Sequence, residues 1–155
     1  MKKRSIFYII GTHIAFMALL LNSAFVLAAN DNDPEYLIIA HPSIAETTLT
    51  HRNLAKIYAL QMGYWSNGHK VEALTFSVES RDFKSFCRSS LNLQPYQLQR
   101  VWNRLRFTGV GKPPIEVSSP QQMLDKVRTT KGSIGYVKNA THINLQGVKV
   151  IKVEK

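Results

Sequence analysis

Apolar residues follow two different periods along the chain, one typical of buried strands and the other of helices. The segment YLIIA at 36–40 is continuously apolar, as expected of a strand that is covered on both faces. Three further segments have the composition of strands: VEALTFS at 71–77, SIGYV at 133–137 and VKVIKVE at 148–154. The sequence therefore predicts at least four strands, with two of them near the end of the chain.

Four segments with helical spacing of apolar residues separate these strands. Their apolar positions are Leu54, Ile57 and Tyr58; Phe83, Phe86, Cys87 and Leu91; Leu98, Val101, Trp102 and Leu105; and Met123, Leu124 and Val127. Thr50 can cap the first helix, Pro95 opens the third, and the stretch from Ser119 to Gln122 has capping-box spacing before the fourth. Strands that alternate with helices predict an α/β sandwich with a largely parallel sheet.

The stretch TTKGSIGYVKN at 129–139 joins the fourth helix to a strand and contains two glycines. Gly132 is predicted to end the helix in the left-handed conformation, which costs glycine no Cβ clash. Gly135 lies inside the following strand, where a glycine indicates that another group approaches the backbone closely.

The first 28 residues have the organisation of a secretory signal peptide. A basic start, Met1-Lys2-Lys3-Arg4, precedes an apolar core at 14–21 and small residues at a cleavage-like end, 26–29. The alternative is a membrane anchor, because the apolar stretch at 6–29 is long enough to span a bilayer. We therefore expect a signal peptide at 1–28, a single domain at 29–155 and a periplasmic location.

The net charge of the chain indicates the kind of partner, and its cysteine content excludes an internal disulfide. Three of the 20 Lys and Arg residues precede the predicted cleavage, so the exported chain has 17 basic and 10 acidic residues, a net charge of +7. A basic exported protein favours anionic partners. Cys87 is the only cysteine and cannot form an internal disulfide, and its helical spacing predicts a buried structural role.

The sequence contains no motif for catalysis, for a cofactor or for a metal. It has neither a G-x-S-x-G signature nor a phosphate loop of the G-x-x-x-x-G-K-[ST] type, which argues against an enzyme. His41, His51, His69 and His142 lack the spacing of zinc ligands. We expect a protein without enzymatic activity, without a cofactor and without a metal site.

The third predicted helix and the segment after it are rich in arginine and lysine. Arg100, Arg104, Arg106 and Lys112 are predicted to form a basic patch that binds an acidic protein or an envelope polyanion. A nucleic-acid site is disfavoured, because helical spacing places Trp102 in the core and export removes most nucleic acid from reach.

Three segments together resemble the periplasmic phosphate-binding proteins of ABC transporters. They are LTHRNLAKIYALQMGYWSNG, WNRLRFTGVGKPPIEV and KGSIGYV, and the resemblance extends over residues 37–153, at the length of one lobe of those two-lobed proteins. It implies a single-lobe three-layer sandwich of the periplasmic-binding-protein type, with a mixed, mostly parallel sheet. It also implies that the GSIGYV strand lies in the sheet core near the hinge.

The family holds phosphate with an Arg-Ser-Asp-Gly-Ser-Gly-Thr stretch between a strand and a helix. The corresponding region here is SVESRDFKSF at 77–86, in which both glycines are absent and Glu79 adds a negative charge. By resemblance, Ser77, Ser80, Arg81 and Asp82 are the expected anion ligands, although Arg81 is not at the family's arginine position. A helix start of this kind favours an anion.

Two functional hypotheses follow. The first is a solute-binding-like protein that binds phosphate or a similar small anion in uptake or sensing, alone or with a second polypeptide. The second is an interaction or sensory module that keeps the fold without the ligand and presents its basic face to a membrane transporter, a sensor or an envelope polymer. Homodimerisation of two lobes is a further possibility that the sequence leaves open.

Overall fold

The computed structural model describes residues 36–109, 111–139 and 143–154. The predicted signal peptide at 1–28 lies outside these residues. In chain order the elements are β1 (Tyr36–Ala40), β2 (Thr48–Thr50), α1 (His51–Tyr58), β3 (Glu72–Phe76), α2 (Arg81–Ser89), α3 (Pro95–Thr108), β4 (Ile115–Val117), α4 (Pro120–Thr129), β5 (Ser133–Lys138) and β6 (Lys149–Glu154).

The six strands form one sheet in the order β2-β6-β1-β5-β3-β4. Parallel pairing joins β2 to β6, β3 to β5 and β3 to β4, whereas β1 is antiparallel to both of its neighbours, β5 and β6. The prediction of a mixed, mostly parallel sheet is thus confirmed. The pattern missed β2 and β4, because a strand of three residues is too short to show a period.

Helices cover both faces of the sheet, as the neighbours of two consecutive residues on β5 show. On one face the ring of Tyr136 stacks on Phe86 of α2, with centroids 3.6 Å apart, and also contacts Tyr58 of α1. On the other face Gly135 lies against Met123 and Val127 of α4. Successive strand residues point to opposite faces, so the fold is a three-layer α/β sandwich, as predicted.

Three of the four helices begin at a residue whose side chain caps the first turn, and α3 begins at the predicted Pro95. The side chains of Thr50, Ser80 and Ser119 accept hydrogen bonds from backbone N–H groups in the first turns of α1, α2 and α4. The capping box at α4 differs from the usual form. The side-chain Oε1 of Gln122 accepts from the backbone N–H of Ser118 rather than from that of the N-cap residue, Ser119. The polar caps therefore fix where the chain leaves β2, β3 and β4.

The two glycines of the KGSIGYV segment have different roles. Gly132 has a φ of +77°, as predicted, but α4 ends at Thr129 with Thr130 as its C-cap, so Gly132 belongs to the turn before β5. A Cβ on Gly132 would collide with the carbonyl oxygen of Lys70. At Gly135 a Cβ would collide with the sulfur of Met123, which confirms that a neighbouring group approaches this strand closely.

The core contains the residues that the helical spacing assigned to it. Cys87 is fully buried, and Trp102 is buried with its indole N–H donating to the carbonyl oxygen of Tyr58 at 2.7 Å. The described elements all belong to one compact unit at residues 32–155. Within the described ranges, no helix combines the length and the apolarity needed to cross a membrane.

Candidate functional site

An open depression of about 520 Å³ lies at the carboxyl ends of the parallel strands β3 and β4. Each of these strands leads directly into a helix, β3 into α2 and β4 into α4, so two helix N-termini reach the same place. The residues that line the depression are Phe76, Ser77, Ser80, Asp82, Glu116, Val117, Ser118, Pro120 and Gln122. The carboxyl edge of parallel strands is where open α/β sheets usually bind ligands.

Three serine side chains line the depression, and the hydrogen bonds of two of them are defined. Ser80 is the N-cap of α2, and its Oγ accepts from the backbone N–H of Phe83 at 3.0 Å. Ser118 donates its hydroxyl to the Oε1 of Gln122 at 2.9 Å. Both hydroxyls are thus oriented by the first turn of a helix, which fixes their position at the edge of the depression.

The carboxylate of Asp82 is held in place by two other elements. Its Oδ1 accepts from the hydroxyl of Tyr36 on β1 at 3.2 Å and lies 2.7 Å from the ammonium of Lys138 at the end of β5. The Asp82 side chain is 29% exposed and that of Lys138 is 50% exposed, so the pair is only partly shielded from water. This pair offsets one negative charge at the depression.

Apart from the pair of Asp82 and Lys138, the charges at the depression are not those of a cationic pocket. Glu116 is exposed and adds a second carboxylate to the lining, and the lining contains no lysine or arginine. The groups available to an anion are therefore hydroxyls, the backbone at two helix N-termini and the half-exposed ammonium of Lys138.

The structure brings together three of the four residues that the resemblance implied as ligands. Ser77, Ser80 and Asp82 line the depression, whereas Arg81 is exposed and is not among the lining residues. Arg81 is the first residue of α2.

The four residues of the predicted partner-binding patch do not share one surface. Arg100 and Arg104 are one helical turn apart on α3, but Arg106 follows Arg104 by about 200° around the helix axis and lies on the opposite side. Arg106 lines a second depression with Glu79 and Glu116, and Lys112 lines a third, largely apolar one. All four are exposed, yet only Arg100 and Arg104 form a local pair.

Sequence reasoning missed four residues of the depression and its surroundings: Glu116, Ser118, Gln122 and Lys138. Gln122 was interpreted only as part of a helix start, Ser118 just before that start was not interpreted, and Lys138 lies far along the chain from the predicted loop. A signal for Ser118 and Gln122 was available, since they adjoin a predicted helix start as Ser77 and Ser80 do at α2, whereas Glu116 lies on β4, which is too short to show a period. No local pattern indicates the contact between Lys138 and Asp82, which depends on strand order.

Two of the histidines contact polar groups nearby. His41 Nδ1 is 2.8 Å from the hydroxyl of Ser43, and His51 Nδ1 is 2.8 Å from the carbonyl oxygen of Ser90. His142 lies outside the described residues. Within the part of the chain that is described, no three His, Cys, Asp or Glu side chains are grouped closely enough to hold a metal ion.

Comparison with solved structures identifies the fold. An ABC-type phosphate transport receptor from Vibrio cholerae matches with a TM-score of 0.57 at 18% identity, covering 79% of this chain and 47% of that one. The PstS protein of Borrelia burgdorferi gives a TM-score of 0.57 at 20% identity, over 78% of this chain and 47% of that protein. A phosphate-binding protein from Stenotrophomonas maltophilia gives 0.55 at 16% identity, over 77% and 39%.

These similarities establish that the chain has a periplasmic-binding-protein-like fold. It spans less than half the length of each of the three structures. Neither a protein-family model nor a curated protein sequence matches the chain. At these identities the likeness concerns the fold alone.

Proposed function

We propose that this protein binds a small oxyanion such as phosphate in the depression at the ends of β3 and β4, as a non-enzymatic solute-binding-like protein in uptake or sensing. The observation that carries the proposal is the convergence of two capped helix N-termini, those of α2 and α4, on one polar depression. The proteins of similar fold include a phosphate transport receptor and a phosphate-binding protein, which supports the choice of ligand.

The attraction for an anion comes from backbone dipoles and hydroxyls. Each helix N-terminus has a partial positive charge and N–H groups that point out of the first turn. Ser77 and Ser80 add hydroxyl groups that can donate to an oxyanion, and Ser118 can do the same when its hydroxyl turns from the Oε1 of Gln122 to the ligand. Lys138 contributes a nearby positive charge through its contact with Asp82.

The two carboxylates would select among anions. Asp82 and Glu116 repel a fully ionised oxyanion but can accept a hydrogen bond from one that still has a proton. At neutral pH phosphate keeps a proton, whereas sulfate has none. The lining therefore favours phosphate over sulfate, although the two have similar size and shape.

The depression is open to solvent, so binding by this chain alone would be weak. Water competes for each hydrogen bond at an open site, and the exposed ion pair gives little additional energy. We infer that a second polypeptide or a second copy of the chain covers the ligand when binding has to be tight. Export by a signal peptide at 1–28 and action of residues 29–155 as one periplasmic domain belong to the same proposal.

Isothermal titration with phosphate at low salt tests this function, with sulfate as the control anion. Saturable heat is expected with phosphate and much weaker heat with sulfate. The double variant Ser77→Ala/Ser118→Ala should lose about fivefold or more in affinity, because each hydroxyl hydrogen bond contributes about 0.5–1.5 kcal/mol. Ser85→Ala on α2 is the matched control, since Ser85 does not line the depression.

Arg81→Ala distinguishes two ways in which the α2 start could act. If Arg81 contacts the anion, the variant loses binding at all salt concentrations. If it acts only through its charge, the loss is small and disappears at high salt. Absence of phosphate binding by the wild-type chain would refute the proposal and leave the alternative, a module that keeps the fold without the ligand.

A further inference from the structure

One stretch of the sequence contains basic residues and no acidic ones, although Glu79 just before it pairs with Lys84 at 3.6 Å. The 33 residues at 83–115 contain no aspartate or glutamate but contain six basic residues: Lys84, Arg88, Arg100, Arg104, Arg106 and Lys112. This stretch includes nearly all of α2 and the whole of α3, which pack on each other through Phe83 and Trp102, with ring centroids 5.5 Å apart. Part of the protein's positive charge is therefore concentrated in one structural unit.

Within this unit, α3 presents an exposed side that combines arginine with aromatic rings. Tyr96, Arg100, Arg104 and Phe107 follow one another at intervals of four, four and three residues, so they lie on one side of the helix. We call these four residues the outer face. Tyr96 is 57% exposed and Phe107 is 89% exposed, and both arginines are exposed as well.

The core does not require the aromatic residues of the outer face. The opposite side of α3 already supplies Leu98 and Trp102, both buried, to the interior. A phenylalanine that is 89% exposed contributes almost no burial to folding, since the hydrophobic effect depends on the apolar area removed from water. A phenylalanine in this position, beside two arginines, therefore points to an external partner rather than to packing within the chain.

We propose that the outer face of α3 binds the surface of an anionic phospholipid membrane. The arginines are complementary to lipid phosphates, and aromatic rings of this kind enter the boundary between headgroups and acyl chains. The helix would then lie in the plane of the membrane with its buried side towards the protein. This interaction is separate from anion binding at the ends of β3 and β4.

The shape of the surface favours a membrane over a macromolecular ligand that fills a groove. The outer-face residues line none of the three depressions, whereas Arg106, on the other side of α3, lines one of them. An exposed helix side that presents rings and cations suits a broad surface. A single-stranded nucleic acid would instead need a groove that follows its backbone.

Co-sedimentation with lipid vesicles tests the proposal, using the chain that starts at residue 29. Its compact unit contains all the described elements, so it is expected to fold without the leader. Vesicles of phosphatidylcholine mixed equally with phosphatidylglycerol should bind the protein, and vesicles of phosphatidylcholine alone should not. Arg100→Ala/Arg104→Ala should weaken binding roughly 25-fold, at about fivefold for each arginine near an anionic surface.

Two matched controls separate the outer face from net charge and from exposed aromatic residues in general. Arg52→Ala/Lys126→Ala removes the same charge from exposed positions on α1 and α4 and should retain most of the binding. Phe107→Ser should weaken binding about tenfold, through the loss of apolar burial in the bilayer. Tyr64→Ser, at a residue 68% exposed outside α3, should change it little.

Three outcomes would overturn the proposal. The first is no preference for the anionic vesicles. The second is equal loss in the charge-matched control, which would indicate non-specific attraction. The third is a loss with Arg100→Ala/Arg104→Ala but none with Phe107→Ser, which would indicate adsorption by charge alone, without entry of the ring into the bilayer. Phosphate titration of the same variants should be unchanged, so the two proposals can fail independently.

Discussion

Replacing Gly132 by alanine tests how the turn before β5 is held. Gly132 has a φ of +77°, and a Cβ there would meet the backbone carbonyl of Lys70. The two segments cannot separate freely, because the carbonyl of Gly132 accepts hydrogen bonds from the indole of Trp65 at 2.8 Å and from the N–H of Glu72 at 3.1 Å. The added methyl group therefore strains the backbone and also threatens these two bonds.

The expected loss of stability has two parts. A residue with a Cβ in the left-handed conformation costs about 1–2 kcal/mol. Overpacking against a group that cannot move easily adds about 1–3 kcal/mol. Gly132→Ala should therefore lower the free energy of unfolding by roughly 2–5 kcal/mol, a large part of the ~5–15 kcal/mol of a typical domain.

Gly68→Ala supplies the matched control. Gly68 has a φ of +83°, but its added Cβ would have no neighbour within 4 Å, so only the conformational part remains. Urea denaturation followed by tryptophan fluorescence should show a lower midpoint for both variants, with the free energy of unfolding of the Gly132 variant lower by a further ~1–3 kcal/mol. Equal midpoints for the two variants would show that the Lys70 carbonyl gives way, and the reasoning would be refuted.

Three further predictions concern the site and the core. Asp82→Asn removes a charge that repels fully ionised anions and leaves Lys138 without its carboxylate partner. The affinity for sulfate should therefore rise about tenfold in a titration at low salt, and an unchanged affinity would contradict this. Burial raises the pKa of the Cys87 thiol from 9.0 to about 12, so the folded protein should not react with a thiol reagent at pH 8. Its stability should fall as the pH rises from 9 towards 12, because the unfolded chain then loses this proton more readily than the folded one. A stability that is constant across this range would count against this prediction. Gly135→Ala and Met123→Ala should each lower the free energy of unfolding. The double variant should lose about 0.5–3 kcal/mol less than the sum of the two losses, since shortening Met123 makes room for the new methyl group. Additive losses in urea denaturation would argue against this contact.

The sequence by itself determined the elements whose signal is local. Four long strands, four helices and the burial of Cys87 and Trp102 follow from periods of two to four residues and from the chemistry of helix starts. Gly135 could also be interpreted correctly, because a glycine inside an apolar strand usually marks the close approach of another group. For Gly132 the left-handed conformation was predicted correctly, but its position was not. It lies in the turn before β5, whereas α4 already ends at Thr129.

Strand order and the composition of the candidate site were decided only by the tertiary structure. β4 is too short to be predicted, yet its pairing with β3 brings Ser118 and Glu116 to the same depression as Ser77. The contact of Lys138 with Asp82 links residues 56 positions apart and depends on β5 lying beside β1 and β3. Local patterns contain no information on such contacts, because they are set by which strands become neighbours when the whole sheet closes over its core.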